Sequence, residues 1–137
     1  MAAGAGRQVT ARRVIGGADF PAVAARLRAI IEAHADGLLL TEDPSGGVKL
    51  ERAPGGRPWD YVAGIRIGKS YVSYYLMPIY LAPALVEGLS PELRRRMQGK
   101  ACFNFTRVDE TLFAELATLT ATGIDRFRDW RPPERRR

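Results

Sequence analysis

From Phe20 onward, apolar side chains return every three or four positions: Phe20, Val23, Leu27, Ile30 and Ile31, with His34 completing the stripe. That period marks a helix with one buried face. Asp19 stands as its N-cap, Pro21 is tolerated in the first turn, and Gly37 closes it as a residue suited to the left-handed conformation. Beyond Leu38 the pattern shortens to strands separated by breakers. Leu38–Glu42 and Val48–Arg52 flank Asp43-Pro44-Ser45-Gly46-Gly47, and Pro54-Gly55-Gly56-Arg57-Pro58 leads into Trp59–Ile67. Gly68-Lys69 predicts a two-residue type II′ hairpin into Tyr71–Tyr80, with Pro78 marking a strand end or a bulge. Ser90-Pro91-Glu92 opens a short helix that Gly99 stops, and Ala101–Arg107 is the last strand. The final helix starts at Asp109 and carries Leu112, Phe113, Leu116, Leu119, Thr120, Gly123, Ile124 and Phe127 on one side, until Pro132-Pro133 ends it.

This order, α-β-β-β-β-(short α)-β-α, predicts an α+β fold with the two long helices on one face of a mostly antiparallel sheet of four or five strands. The hairpin-length connections leave no room for parallel crossovers, which need a dozen or more residues. The other sheet face is then left partly open. A function other than assembly is expected to sit there.

The chain has 137 residues, the size of a single domain, which the pattern places at 19–130 between a disordered leader (1–18) and an Arg-rich disordered tail (131–137). The location of the formal charge of +6 changes its meaning. Arg7, Arg12 and Arg13 precede Asp19 without an acid, and Arg131, Arg135, Arg136 and Arg137 face only Glu134, so the body between is electroneutral. That distribution argues against nucleic-acid binding by the folded part, whose basic patch would lie on the fold itself. The longest nearly apolar stretch, Tyr74–Val86, is broken by Pro78 and Pro83, whereas a membrane span needs about 20 residues. A lone cysteine, Cys102, excludes an internal disulfide and fits a reducing compartment, and a lone histidine, His34, leaves too few ligands for a typical catalytic zinc site.

Ala63-Gly64-Ile65-Arg66-Ile67-Gly68-Lys69-Ser70 imitates a phosphate-binding loop. That chemistry requires a helix after the loop, and Tyr71-Val72-Ser73-Tyr74-Tyr75-Leu76 is another strand, so the segment reads as a hairpin. Cys102 alternates with Asn104 and opposes Phe103 and Phe105, the setting of a small half-buried side chain with no histidine at hand to activate it. Glu32 and Asp36 are four apart on the first helix, with Glu42 and Asp43 in the adjoining hairpin; oxygen-rich groups of this kind hold hard cations weakly or form an ordinary solvated surface. Tyr71 and Tyr75 share one face of their strand, while Tyr74 and Tyr80 point to the other. One set packs beneath the helices. The other lines the open face beside Asn104, near Lys69 and Lys100.

The blocks Lys69-Ser70-Tyr71-Val72-Ser73-Tyr74-Tyr75-Leu76-Met77-Pro78, Leu89-Ser90-Pro91-Glu92-Leu93 and Met97-Gln98-Gly99-Lys100-Ala101-Cys102-Phe103-Asn104-Phe105 resemble the bacterial YdhG-like domain-of-unknown-function family over about Asp19–Phe127. The resemblance implies a compact fold related to frataxin, a cytoplasmic location and no established enzymatic activity. It also implies, through at least one relative regarded as a frataxin-like iron chaperone, iron supply for iron–sulfur cluster or haem assembly.

Three functional readings follow. The first is a non-catalytic cytoplasmic binding protein that uses the open face, around Lys69, Tyr71, Tyr75, Lys100, Cys102 and Asn104, on a small ligand or protein partner, with no cofactor. The second is weak iron binding and delivery through Glu32, Asp36, Glu42 and Asp43. The third is an enzyme with a site around Cys102, Asn104, Lys69 and Lys100.

Overall fold

A computed structural model describes residues 19–128 and Trp130; the leader at 1–18 and the tail at 131–137 lie outside the described residues. Along the chain come α1 (Phe20–Ala33), β1 (Leu39–Glu42), β2 (Val48–Glu51), β3 (Tyr61–Ile67), β4 (Val72–Leu76), α2 (Met77–Leu81), α3 (Pro91–Arg94), β5 (Cys102–Phe105) and α4 (Glu110–Phe127). The five strands form one open antiparallel sheet in sequence order. The fold is α+β. Among the described residues, no helix is long and apolar enough to cross a membrane.

The helix starts follow from their caps. Asp19 accepts from the Ala22 N–H at 3.1 Å, Asp109 from Leu112 at 3.1 Å, and the Ser90 hydroxyl from Leu93 at 3.2 Å, each satisfying an amide that has no partner inside its helix.

Register then decides which strand positions meet the helices. Val48 and Leu50 pair with Ile65 and Ala63, Tyr74 and Val72 with Phe103 and Phe105, and all of these are buried beneath α1 and α4. From α1 come Val23, Ala24, Leu27, Ile30 and Ile31; from α4, Leu112, Phe113, Leu116, Leu119, Thr120, Gly123, Ile124 and Phe127 are buried, the same face that the sequence period marks. The hydroxyls of Tyr74 and Thr120 share a hydrogen bond of 2.7 Å with both residues fully buried, and the Phe105 and Phe113 rings meet edge to face at 5.0 Å. Arg52, just beyond β2, donates to the carbonyls of Phe127, Trp130 and Trp59, and its guanidinium lies 4.7 Å from the Phe127 ring centre. These contacts tie the C-terminal end of α4 to the sheet.

Four local expectations are corrected. The strand expected over Tyr71–Tyr80 ends at Leu76, and Met77–Leu81 turns into α2 with Pro78 in its first turn. A proline there loses nothing, because its missing N–H has no helical partner, whereas inside the sheet it would break a ladder. Gly123 on α4 admits this element: a β-carbon there would stand 3.0 Å from the Pro78 Cβ. The β3–β4 connection has four residues, closed by Gly68 N–H to the Tyr71 carbonyl at 3.0 Å, and Gly68 lies outside the left-handed region that a type II′ turn demands. Gly37 is left-handed (φ 76°) but serves the turn into β1, because α1 already stops at Ala33. The expected strand at Trp59–Ile67 shrinks to Tyr61–Ile67, since Pro58–Asp60 forms a 3-10 turn, and that at Ala101–Arg107 shrinks to Cys102–Phe105.

Candidate functional site

The sheet face turned away from α1 and α4 carries the alternate strand positions. Across its middle run Thr41, Lys49, Gly64, Tyr75 and Cys102, each paired to the next. Toward one end lie Leu39, Glu51 and Tyr61; toward the other, Arg66, Ser73 and Asn104. A groove of about 730 Å³ opens over the β1–β2–β3 side of this face, its wall completed by Asp43 and Ser45. That volume lies in the range of small-molecule sites. A smaller hollow of about 270 Å³ adjoins it around Arg66, Lys69, Tyr71, Ser73 and Tyr75.

The groove has a floor because Gly64 has no side chain. Tyr61 lies flat along the sheet over this glycine: a β-carbon on Gly64 would fall 2.3 Å from the Tyr61 hydroxyl and 3.2 Å from its Cζ. Covering a strand glycine with an aromatic ring restores the packing that the missing side chain forfeits. Burial, with Tyr75, Cys102 and Glu51 nearby, pushes the Tyr61 phenol above the ordinary tyrosine range, so it stays protonated and able to donate. Glu51 is 8% exposed and lines the groove, yet its carboxylate makes no hydrogen bond or ion pair among the described residues. Lys49, Arg66 and Lys69 are exposed and likewise unpaired. Next to them a polar relay is closed on itself: Ser73 donates to the Asn104 side-chain oxygen at 2.8 Å, Cys102 lies 3.4 Å from that oxygen, and the Asn104 amide donates to Gln98 at 2.8 Å. Burial pushes the Cys102 thiol up. It is a poor nucleophile.

The residues expected at the open face are therefore gathered only in part. Tyr75, Cys102 and Asn104 share it, and Lys69 and Tyr71 border its smaller hollow; Lys100 is exposed in the turn before β5 and lines neither cavity. Lys49, Glu51, Tyr61 and Arg66 were not singled out by sequence reasoning. The alternation Val48-Lys49-Leu50-Glu51 is the signal that points to the first two, since one buried face implies that Lys49 and Glu51 share the other.

The four carboxylates read as cation ligands are not brought together. Arg28 stands between Glu32 and Glu42, 2.9 Å from each, which commits both carboxylates to ion pairs. Asp43 instead organises its own turn, accepting from the Ser45 hydroxyl, the Ser45 N–H at 2.9 Å and the Gly47 N–H at 3.1 Å; these bonds, the hydroxyl's foremost, lower its pKa. Asp36 is exposed in the α1–β1 turn. Among the described residues, no group of three or more His, Cys, Asp or Glu side chains is placed to hold a metal ion. His34 stands at the C-terminal end of α1, its Nδ1 3.0 Å from the Ile30 carbonyl, and lines neither cavity. The phosphate-loop imitation is the β3–β4 hairpin.

Fold and site together define an α+β protein with a grooved open sheet. Compared with protein-family models, curated proteins and solved structures, the chain finds no match in any of the three.

Proposed function

We propose that the protein is a non-catalytic binding protein that takes a small ligand in the groove of its open sheet face. The observation that carries this reading is the convergence of unpaired Lys49, Glu51 and Arg66 on one concavity of about 730 Å³. Pockets that bind small molecules combine an enclosing shape with a few such polar groups to orient the ligand. A flat face would favour a protein partner instead. The Cys102 thiol, whose pKa burial raises, lies outside the lining of the groove, and His34 stands at the C-terminal end of α1, so neither brings a thiolate or an imidazole base to the groove, which supports binding rather than turnover. Kinship to the YdhG-like family, a frataxin-like arrangement of the helices and sheet, and a bacterial cytoplasmic setting belong to the same proposal, and rest on the sequence blocks Lys69–Pro78, Leu89–Leu93 and Met97–Phe105.

The test is amide chemical-shift mapping of the full chain against a chemically diverse mixture of small fragments. Shifts at Lys49, Gly64, Arg66 and Tyr75 are expected from at least one fragment. Shifts confined to α1 and α4, or none at all, would overturn the proposal.

A further inference from the structure

Given that the groove binds a small ligand, the reading on which this step rests, we infer that its ligand has a planar N–H-donor edge at one end and an anionic group at the other, the chemistry of a guanine nucleotide.

The donor end follows from Glu51. A carboxylate accepts at both oxygens, and Glu51, 8% exposed, makes no hydrogen bond or ion pair among the described residues, so both acceptors are free for a donor that enters the groove. Its remaining opening is the groove. Two parallel N–H groups on one rigid edge satisfy both oxygens at once through charge-assisted bonds. The Watson–Crick edge of guanine presents such a pair. Adenine places a bare ring nitrogen there, which a carboxylate repels.

The planar shape follows from Tyr61. Its side chain lies along the sheet over Gly64 instead of standing off it, and so offers a ring as the floor on which a flat heterocycle stacks. The anionic end follows from charge and length. Lys49 pairs with Gly64, Glu51 lies two residues beyond Lys49 in one direction, and Arg66 two beyond Gly64 in the other. At about 3.4 Å per residue, Glu51 and Arg66 are separated by about 14 Å along the sheet. Glu42 and Asp43 border the groove at this end, but Glu42 is paired with Arg28 and Asp43 is held by its own turn, whereas Arg66 makes no ion pair and Lys69 lies beside it in the adjoining hollow. A free amino acid, with its opposite charges on neighbouring atoms, cannot reach both ends. A ring, a sugar and a phosphate in series can.

Calorimetric titration of the full chain with guanosine 5′-monophosphate, adenosine 5′-monophosphate and guanosine tests this inference. The guanine nucleotide should bind, the adenine nucleotide about tenfold or more weaker, as expected when a buried acceptor loses its donors. Guanosine should also bind more weakly than its monophosphate. Glu51→Gln should abolish the preference for guanine over adenine. Arg66→Ala, at an exposed position that folding does not need, should weaken the guanine nucleotide and leave guanosine unchanged. Absence of binding at millimolar guanosine monophosphate, equal binding of both nucleotides, or indifference to Glu51→Gln would overturn the inference. Shift mapping separates the two levels: if other fragments move Lys49, Gly64 and Arg66 while the nucleotide does not, the ligand class is wrong and the groove still binds. If nothing moves them, both fall.

Discussion

Gly64→Ala probes the feature on which the groove depends, the Tyr61 ring lying in the space of an absent side chain. The added methyl would stand 2.3 Å from the Tyr61 hydroxyl and 3.0 Å from the Val48 carbonyl, both well inside ordinary contact distance. The phenol must therefore retreat by about 1 Å or swing into the groove, and overpacking of this kind costs about 1–3 kcal/mol. Alanine recovers roughly 0.5–1 kcal/mol of the backbone entropy that a strand glycine forfeits. The net expectation is a loss of about 1–2 kcal/mol, which at this chain length lowers Tm by about 4–8 °C. In a Tyr61→Ala background the nearest obstacle is gone and only the Val48 carbonyl remains, so the same Gly64→Ala change should be close to neutral. Urea denaturation followed by circular dichroism on the four proteins of this cycle gives the coupling directly, with about 1 kcal/mol or more expected. If Gly64→Ala costs the same in both backgrounds, within the roughly 0.3–0.5 kcal/mol of independent sites, the ring does not occupy that space and the account of the groove floor is wrong.

Three further outcomes are expected. Tyr74→Phe leaves the Thr120 hydroxyl buried without a partner and should cost about 1–3 kcal/mol, whereas Tyr74→Phe combined with Thr120→Val should recover part of that loss; a strictly additive double variant in thermal melts would contradict a shared bond. Because burial raises its thiol pKa, Cys102 should react with a disulfide reagent more slowly than free cysteine at neutral pH, with a pH–rate midpoint above about 8.5; a midpoint below that value would mean an activated thiolate. With Glu32 and Glu42 both paired to Arg28, the double change Glu32→Ala, Asp36→Ala should leave ferrous-iron affinity in calorimetry untouched, and a tenfold loss would restore the acidic-ridge reading.

Much of the architecture is legible in the one-dimensional pattern. The eight positions singled out on the last helix are the eight that α4 buries, and Asp19 and Ser90 cap where they are expected to, because periodicity and capping are local consequences of helix geometry. The misreading at Met77–Leu81 has the opposite origin. Met77, Ile79, Tyr80 and Leu81 suit a strand by composition, and only the docking of Pro78 against Gly123 on α4 turns them into a helix.

The open-face residues divide along the same line. Tyr75, Cys102 and Asn104 could be named because alternation within a single strand settles which of them share a side. Lys49, Glu51, Tyr61 and Arg66 could not be assembled that way. Their meeting depends on the pairing of Lys49 with Gly64 across β2 and β3 and on the irregular register between Leu50 and Glu51, which sets Tyr61 opposite Glu51. Glu42 and Asp43 border the groove as well, but Glu42 is paired with Arg28 and Asp43 is held by its own turn, which leaves Glu51 as the groove carboxylate without a partner among the described residues. Linear order therefore determined the two long helices, the order of the strands, and their buried faces, but not the helix at Met77–Leu81. Which charges share a cavity was decided by inter-strand register, because a shift of one residue sends a side chain to the opposite face of the sheet.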